Sequence, residues 1–299
     1  MIINCRLLIS YVVNGQNALL RYLCLGGVLF WCWRVLVVCG IFGFVLRKPV
    51  VVDKVFRVLE RLEVDQFPGE ETAVGGFGAG VAVLEADGGV VWEKVGKVGD
   101  VSPVRRLSEV FDVGEASVLV AHVRRPSPEF MGTAGFRECA QPYVVERDPE
   151  VAVVSVHNGK VDNFVELRGL LGAGHVFESE GVGLIDSEVV AHVFEEFLSE
   201  KESEGEALNE LFCKLHGNST IALLQVGEEN AFVHFVHNGK TRGLHVWTNE
   251  RGELVFCSRE KPLMEEFGGL ISEGGFVRKV RIEWRENAGL VLSHPISMK

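Results

Sequence analysis

Short apolar runs, each closed by glycine, asparagine or a charged turn, recur from Ile41 to Ser258 and interleave with stretches of helical spacing. Runs of about five to ten apolar residues between turn formers read as buried strands. On that basis strands are expected at Ile41–Leu46, Gly80–Leu84, Val90–Val95, Ser117–Val123, Val151–Val156, Ser219–Val226, Ala231–Val236, Leu244–Asn249 and Leu254–Ser258. Asp87-Gly88-Gly89 reads as the turn of a hairpin. Val51–Leu62, Val104–Phe111, Asn163–Leu171, Val189–Phe197 and Leu208–Leu215 carry apolar residues at helical spacing. Asp186 or Ser187 is placed to cap the fourth of these helices, and the charged run Glu195–Glu206 reads as a solvated face. Hairpin-linked strands with helices segregated into their own layers describe an α+β domain over residues 39–299.

Composition narrows the function. Hydrophobic residues make up 47% of the 299, enough for a sizeable core, and the net charge of -11 lacks the basic face that nucleic acids require. The same acidity disfavours an anionic membrane surface as partner for this body. Seven cysteines, an odd number with no CxxC spacing, suggest neither a disulfide framework nor structural zinc. No metal and no cofactor is expected, and the thiols suit a reducing, cytoplasmic setting.

Residues 1–38 are a different material, with no Asp or Glu, while the remainder holds all 41 acids. Ala18–Val38 is apolar apart from Arg21, Tyr22 and Arg34. Three readings of this extension stay open: a start site misplaced upstream of Val38, a propeptide, or, less in keeping with the two arginines, a membrane segment. Under the first two, Cys39 becomes the first residue.

Taken singly, the polar motifs are bland. His157-Asn158-Gly159 after a strand reads as a tight turn, and His237-Asn238-Gly239-Lys240 as a hairpin turn without chemistry. Their order and company are more specific. Cys39-Gly40-Ile41-Phe42-Gly43, Ala121-His122-Val123-Arg124, Ala140-Gln141-Pro142-Tyr143, Val156-His157-Asn158-Gly159-Lys160-Val161-Asp162-Asn163 and Ile185-Asp186-Ser187-Glu188-Val189-Val190-Ala191-His192 follow one another over residues 39 to about 261. In this order they resemble the motifs of the class II glutamine amidotransferases, the amino-terminal-nucleophile family. The wording is near that of the glutaminase domain of glucosamine-6-phosphate synthases, with a touch of the small stand-alone amidotransferases.

The resemblance implies a four-layer αββα sandwich of antiparallel sheets and hydrolysis of the glutamine side-chain amide. An amino-terminal cysteine carries its own base, because an α-amine titrates near neutrality. By resemblance Cys39 is the nucleophile, and the Asn158 amide and Gly159 N–H hold the oxyanion. Arg124 takes the substrate's α-carboxylate, and Asp186 its α-ammonium. His122 and His157 are expected to orient their motifs. The sequence departs from the family in two places. Arg125-Pro126-Ser127 stands where the synthases have Trp-Ala-Thr, and Gln141 replaces a histidine. With no sugar-phosphate isomerase half before Lys299, ammonia is expected either to pass to a separate synthase subunit or to be released by a plain amidase acting on glutamine or a γ-glutamyl compound. A catalytically inactive glutamine sensor is the non-enzymatic alternative.

Overall fold

The computed structural model describes residues 39–66, 70, 72–146, 152–227 and 230–297. The readings of residues 1–38 lie outside the described residues. In chain order the elements are β1 (Gly40–Val51), α1 (Val52–Val64), β2 (Gly78–Leu84), β3 (Val90–Gly96), α2 (Pro103–Val110), β4 (Glu115–Val123), β5 (Tyr143–Glu146) and β6 (Ala152–Val161). Then follow α3 (Phe164–Leu170), α4 (Asp186–Glu200), α5 (Glu204–Lys214), β7 (Gly217–Val226), β8 (Ala231–Lys240), β9 (Leu244–Thr248), β10 (Leu254–Cys257), α6 (Glu260–Glu273), β11 (Val277–Ile282) and β12 (Asn287–Ile296). Short 3-10 turns at Pro128–Thr133, Arg137–Cys139 and Ser179–Gly181 fill the connections.

The strands form two antiparallel sheets. One is ordered β11-β9-β10-β1-β4-β2-β3 and the other β12-β8-β7-β6-β5. Their facing sides share one apolar core that includes Ile41, Val120, Val156, Ala222, Phe235 and Phe256. The outer side of the larger sheet is covered by α1, α2 and α6 through Phe42, Phe44, Leu59, Leu107 and Phe267. The outer side of the smaller sheet is covered by α4 and α5 through Val153, Leu223, Val190, Phe194 and Leu211. The layers are therefore α, β, β, α, as expected. Each central strand alternates between an outer and an inner core: in β1, Phe42 and Phe44 face the helices while Ile41 and Val45 face the second sheet. This explains why the run is apolar throughout rather than alternating with polar residues.

Several local expectations need correction. Residues 157–159 are not a turn: β6 runs through them to Val161, paired with β7 from Val161↔Gly217 to Ala152↔Val226. Likewise His237-Asn238-Gly239-Lys240 is the end of β8, paired on one side with β12, and the chain turns only at residues 241–243. Pairing with the neighbouring strands, not the Asn-Gly pair, decides the strand length in both places. Neither Asp186 nor Ser187 caps α4: the cap position is Ile185, and no side chain caps it. The charged run is not uniformly solvated, because Glu195 is buried on α4. β5, α6, β11 and β12 complete the layers in segments to which no element was assigned from the sequence.

Candidate active site

Cys39 lies at the head of β1, in the middle of the larger sheet. β4 is one neighbour, with Gly40 opposite Val123, so the residues that follow β4 arrive beside the cysteine. The Sγ of Cys39 donates to the carbonyl of Arg125 and accepts from its N–H, both at 3.3 Å. On the other flank, Ser258 Oγ accepts from the Ile41 N–H at 3.1 Å and fixes the strand start against β10. Burial pushes the Cys39 thiol up. The bond from the Arg125 N–H and the charges of Arg124 and Arg242 pull the other way.

The second sheet brings the remaining groups. The strand that carries Val156 continues through His157, Asn158 and Gly159, and α4 begins at Asp186. A narrow cavity of about 20 Å³, room for about one water molecule, is lined by Cys39, Arg124, Arg125, Gly159, Asp186 and Ser187 among others. Of the five site residues expected from the sequence, Cys39, Arg124, Gly159 and Asp186 line this cavity. Asn158 adjoins it between His157 and Gly159. Its side chain is buried, and neither Oδ1 nor Nδ2 has a hydrogen-bond partner among the described residues. Native proteins rarely leave a buried amide unpaired without a functional reason.

Gly159 adopts φ +130°, and a Cβ there would meet the Asn218 carbonyl oxygen at 1.9 Å. Only glycine lets β6 pass so close to β7 at this point. The Arg124 fork is anchored on Thr133, with Nη1 donating to its carbonyl at 3.0 Å and Nη2 to Oγ1 at 2.6 Å. Asp186 is held by the N–H of Val161 on Oδ2 and by that of Ser187 on Oδ1, both at 2.9 Å.

The two histidines orient their motifs. His122 Nε2 lies 3.2 Å from the His157 carbonyl, which ties β4 of one sheet to β6 of the other. The His157 ring is held between Ser187 Oγ at 2.9 Å and Ser219 Oγ at 3.1 Å. Burial lowers both pKa values, that of His122 to about 3, so both rings are neutral. Gln141 occupies the place of the family's histidine, and its amide both accepts from and donates to the His157 backbone. The motif match located this residue without revealing that role. A further pair had no signal in the sequence. Arg242, in the turn after β8, is fully buried against Glu70 at 2.8 Å, and burial draws it down to about 10.

Known proteins resemble this chain in sequence and in fold. A family model described as a glutamine amidotransferase domain matches residues 134–265. The glutamine–fructose-6-phosphate aminotransferase (isomerizing) of Aeropyrum pernix is 31% identical over 257 residues, covering 81% of this chain and 37% of that protein. The protein of the same name from Pyrobaculum aerophilum is 32% identical over 209 residues, covering 67% and 30%. The chain thus spans about a third of the length of the curated relatives it matches. Two solved structures share the fold. The allosteric regulatory enzyme of purine biosynthesis has a TM-score of 0.58 at 17% identity, covering 87% of this chain and 50% of that one. The glutamine phosphoribosylpyrophosphate amidotransferase of B. subtilis has a TM-score of 0.55 at 18% identity, with the same coverage. The chain carries a glutamine amidotransferase domain, similar in sequence to glutamine–fructose-6-phosphate aminotransferases and in fold to amidotransferases of class II, the amino-terminal-nucleophile type.

Proposed function

We propose that this domain hydrolyses the side-chain amide of L-glutamine to glutamate and ammonia through a thioester on Cys39. The observation that carries the reading is the buried, partnerless Asn158 amide adjoining a cavity that also holds Cys39, Gly159, Arg124 and Asp186. Cys39 thiolate attacks the amide carbon, and the free α-amine of Cys39 takes the thiol proton and returns it to the leaving nitrogen. Asn158 and the Gly159 N–H receive the oxyanion; one donor of this kind is worth about 3–4 kcal/mol in the barrier. Arg124 and Asp186 hold the α-carboxylate and α-ammonium and so separate glutamine from simple amides. Water then cleaves the thioester. The relatives named as glutamine–fructose-6-phosphate aminotransferases support transfer of the ammonia to an acceptor, and a separate synthase subunit would supply it.

The mechanism requires residues 1–38 to be absent from the working protein, because an acylated Cys39 nitrogen is no base. The test is ammonia release from glutamine by protein whose first residue is Cys39, compared with the 299-residue chain and with Cys39→Ala. Activity only in the first is the expected outcome. Protein that starts at an intact Cys39 and releases no ammonia, alone or with any partner, refutes the proposal. Mass analysis of the natural amino terminus tests the processing directly. Among the described residues, no helix is long and apolar enough to cross a membrane.

A further inference from the structure

The cavity at Cys39 is lined by two arginines and one acid, Arg124, Arg125 and Asp186. Under the amide-hydrolysis reading above, on which this inference rests, glutamine offers one carboxylate for Arg124 and one ammonium for Asp186. That leaves Arg125 over. The other buried cations near the cysteine have acids of their own: Arg242 is paired with Glu70 at 2.8 Å and Arg259 with Asp65 at 2.5 Å.

Arg125 is different. Its Nη1 donates to the Ala73 carbonyl at 3.2 Å, and its guanidinium lies over the Phe77 ring at 5.0 Å. No carboxylate among the described residues forms an ion pair with it. Its backbone holds the Cys39 sulfur on both sides, so its side chain springs from the point where the scissile bond must lie. Burial lowers its pKa, and the one charge that offsets this is that of Cys39 itself. A half-buried guanidinium, stacked on an aromatic face and fixed by a carbonyl, is preorganised to accept a planar anion in the fork geometry that Lys cannot reproduce.

We propose that the site takes γ-glutamyl amides whose leaving amine carries a carboxylate, and that Arg125 is the residue that reads it. The reaction is balanced without a further reagent. Cys39 sulfur bonds to the γ-carbonyl carbon, the C–N bond breaks, and the amine departs with the thiol proton and its carboxylate intact. Water cleaves the thioester to glutamate and restores the thiol. Glutamine is then the smallest member of the substrate class, with ammonia as its leaving group.

The test is binding of two compounds that differ only in this charge, γ-L-glutamylglycine and γ-L-glutamylglycinamide, to the Cys39→Ala protein by calorimetry. The acid is expected to bind at least about tenfold tighter than the amide, the scale of one charge-assisted hydrogen bond. In Cys39→Ala/Arg125→Gln the ratio should fall to about one. Because the first comparison uses two ligands on one protein, the inference stays testable even if Arg125→Gln does not fold. Equal affinities, or no binding of either compound, overturn it. Glutamine turnover by protein that begins at an intact Cys39 distinguishes that failure from failure of the amidase reading: turnover without discrimination removes only the role given to Arg125.

Discussion

The N–H of His157 donates to Oε1 of Gln141 at 2.6 Å, and Nε2 of Gln141 donates back to the His157 carbonyl at 3.1 Å. The two bonds clamp β6 one residue before Asn158. They also account for the departure from the family motif: a primary amide presents an acceptor and a donor to one peptide unit side by side. Gln141→Ala would leave the buried His157 N–H unpaired, while the carbonyl keeps its contact with His122. The expected cost is about 1–3 kcal/mol in urea unfolding. A fall in glutaminase kcat should accompany it, because Asn158 and Gly159 lose their anchor. A variant as stable and as active as the parent would show that the clamp has no role.

Asn158 offers the opposite signature. Its amide is buried and partnerless in the folded protein, so the fold gains little hydrogen bonding from it. Asn158→Ala should therefore lower kcat by about 10²–10³, the loss of one oxyanion donor, while the urea midpoint stays unchanged or rises. Comparable losses of stability and rate would instead assign Asn158 to the architecture. Stability is expected to separate sharply at the next residue. Gly159→Ala places a methyl group into the Asn218 carbonyl at a positive φ and should destabilise the protein by several kcal/mol.

The central strands were readable because each runs between two apolar cores, which gives β1, β2, β4 and β7 unbroken apolar stretches such as Val118–Ala121 and Ile221–Leu224. The proposed site residues were picked out through their order: Cys39, Arg124, Asn158, Gly159 and Asp186 lie in motifs whose succession says more than any one of them, and four of the five line one cavity. What escaped was set by tertiary pairing. The strands at residues 157–161 and 237–240 continue through Asn-Gly pairs because neighbours on the sheet demand it. β12 pairs with β8 along its length although Glu286-Asn287-Ala288-Gly289 looks like a loop. Arg242 and Glu70 are 172 residues apart, and no local pattern joins them.

The thiols should separate by burial. Cys213 is exposed, whereas Cys39, Cys139 and Cys257 are buried. Burial raises the Cys139 thiol and pushes Cys257 up to about 12. The Cys39 thiol is also raised and donates to the Arg125 carbonyl. Thiolate is the reactive form, so among the thiols of the described residues brief iodoacetamide treatment of the folded protein at pH 7.5 should label Cys213 first. Labelling of Cys39 should grow with pH and be slowed by glutamine. Peptide mass mapping reads the order. Modification of Cys257 before Cys213 would contradict the packing of β10.

Acid should unfold this protein through its histidines. Burial lowers His122 and His234 to about 3 and His192 and His237 to about 4, against about 6.5 in the unfolded chain. A histidine depressed in the fold stays neutral there while its unfolded counterpart takes a proton. Above about pH 6.5 both forms are neutral and stability is unaffected by the group. Below it, each such histidine removes about 1.4 kcal/mol per pH unit until its folded pKa is reached. Glu63 and Glu188, raised by burial, work in the opposite sense, because the fold binds their protons more readily than the unfolded chain does. Four histidines outweigh two carboxyls between pH 6.5 and pH 5, where unfolded carboxyls are still ionised. The urea midpoint should accordingly fall from pH 7.5 to pH 5. His234 is the best single probe. It is held between Gln225 Oε1 and Ser293 Oγ within the smaller sheet, away from the cavity at Cys39. His234→Gln should flatten the slope by about one proton while glutamine turnover at pH 7.5 persists. A stability flat or rising toward pH 5 would mean that these rings are protonated in place.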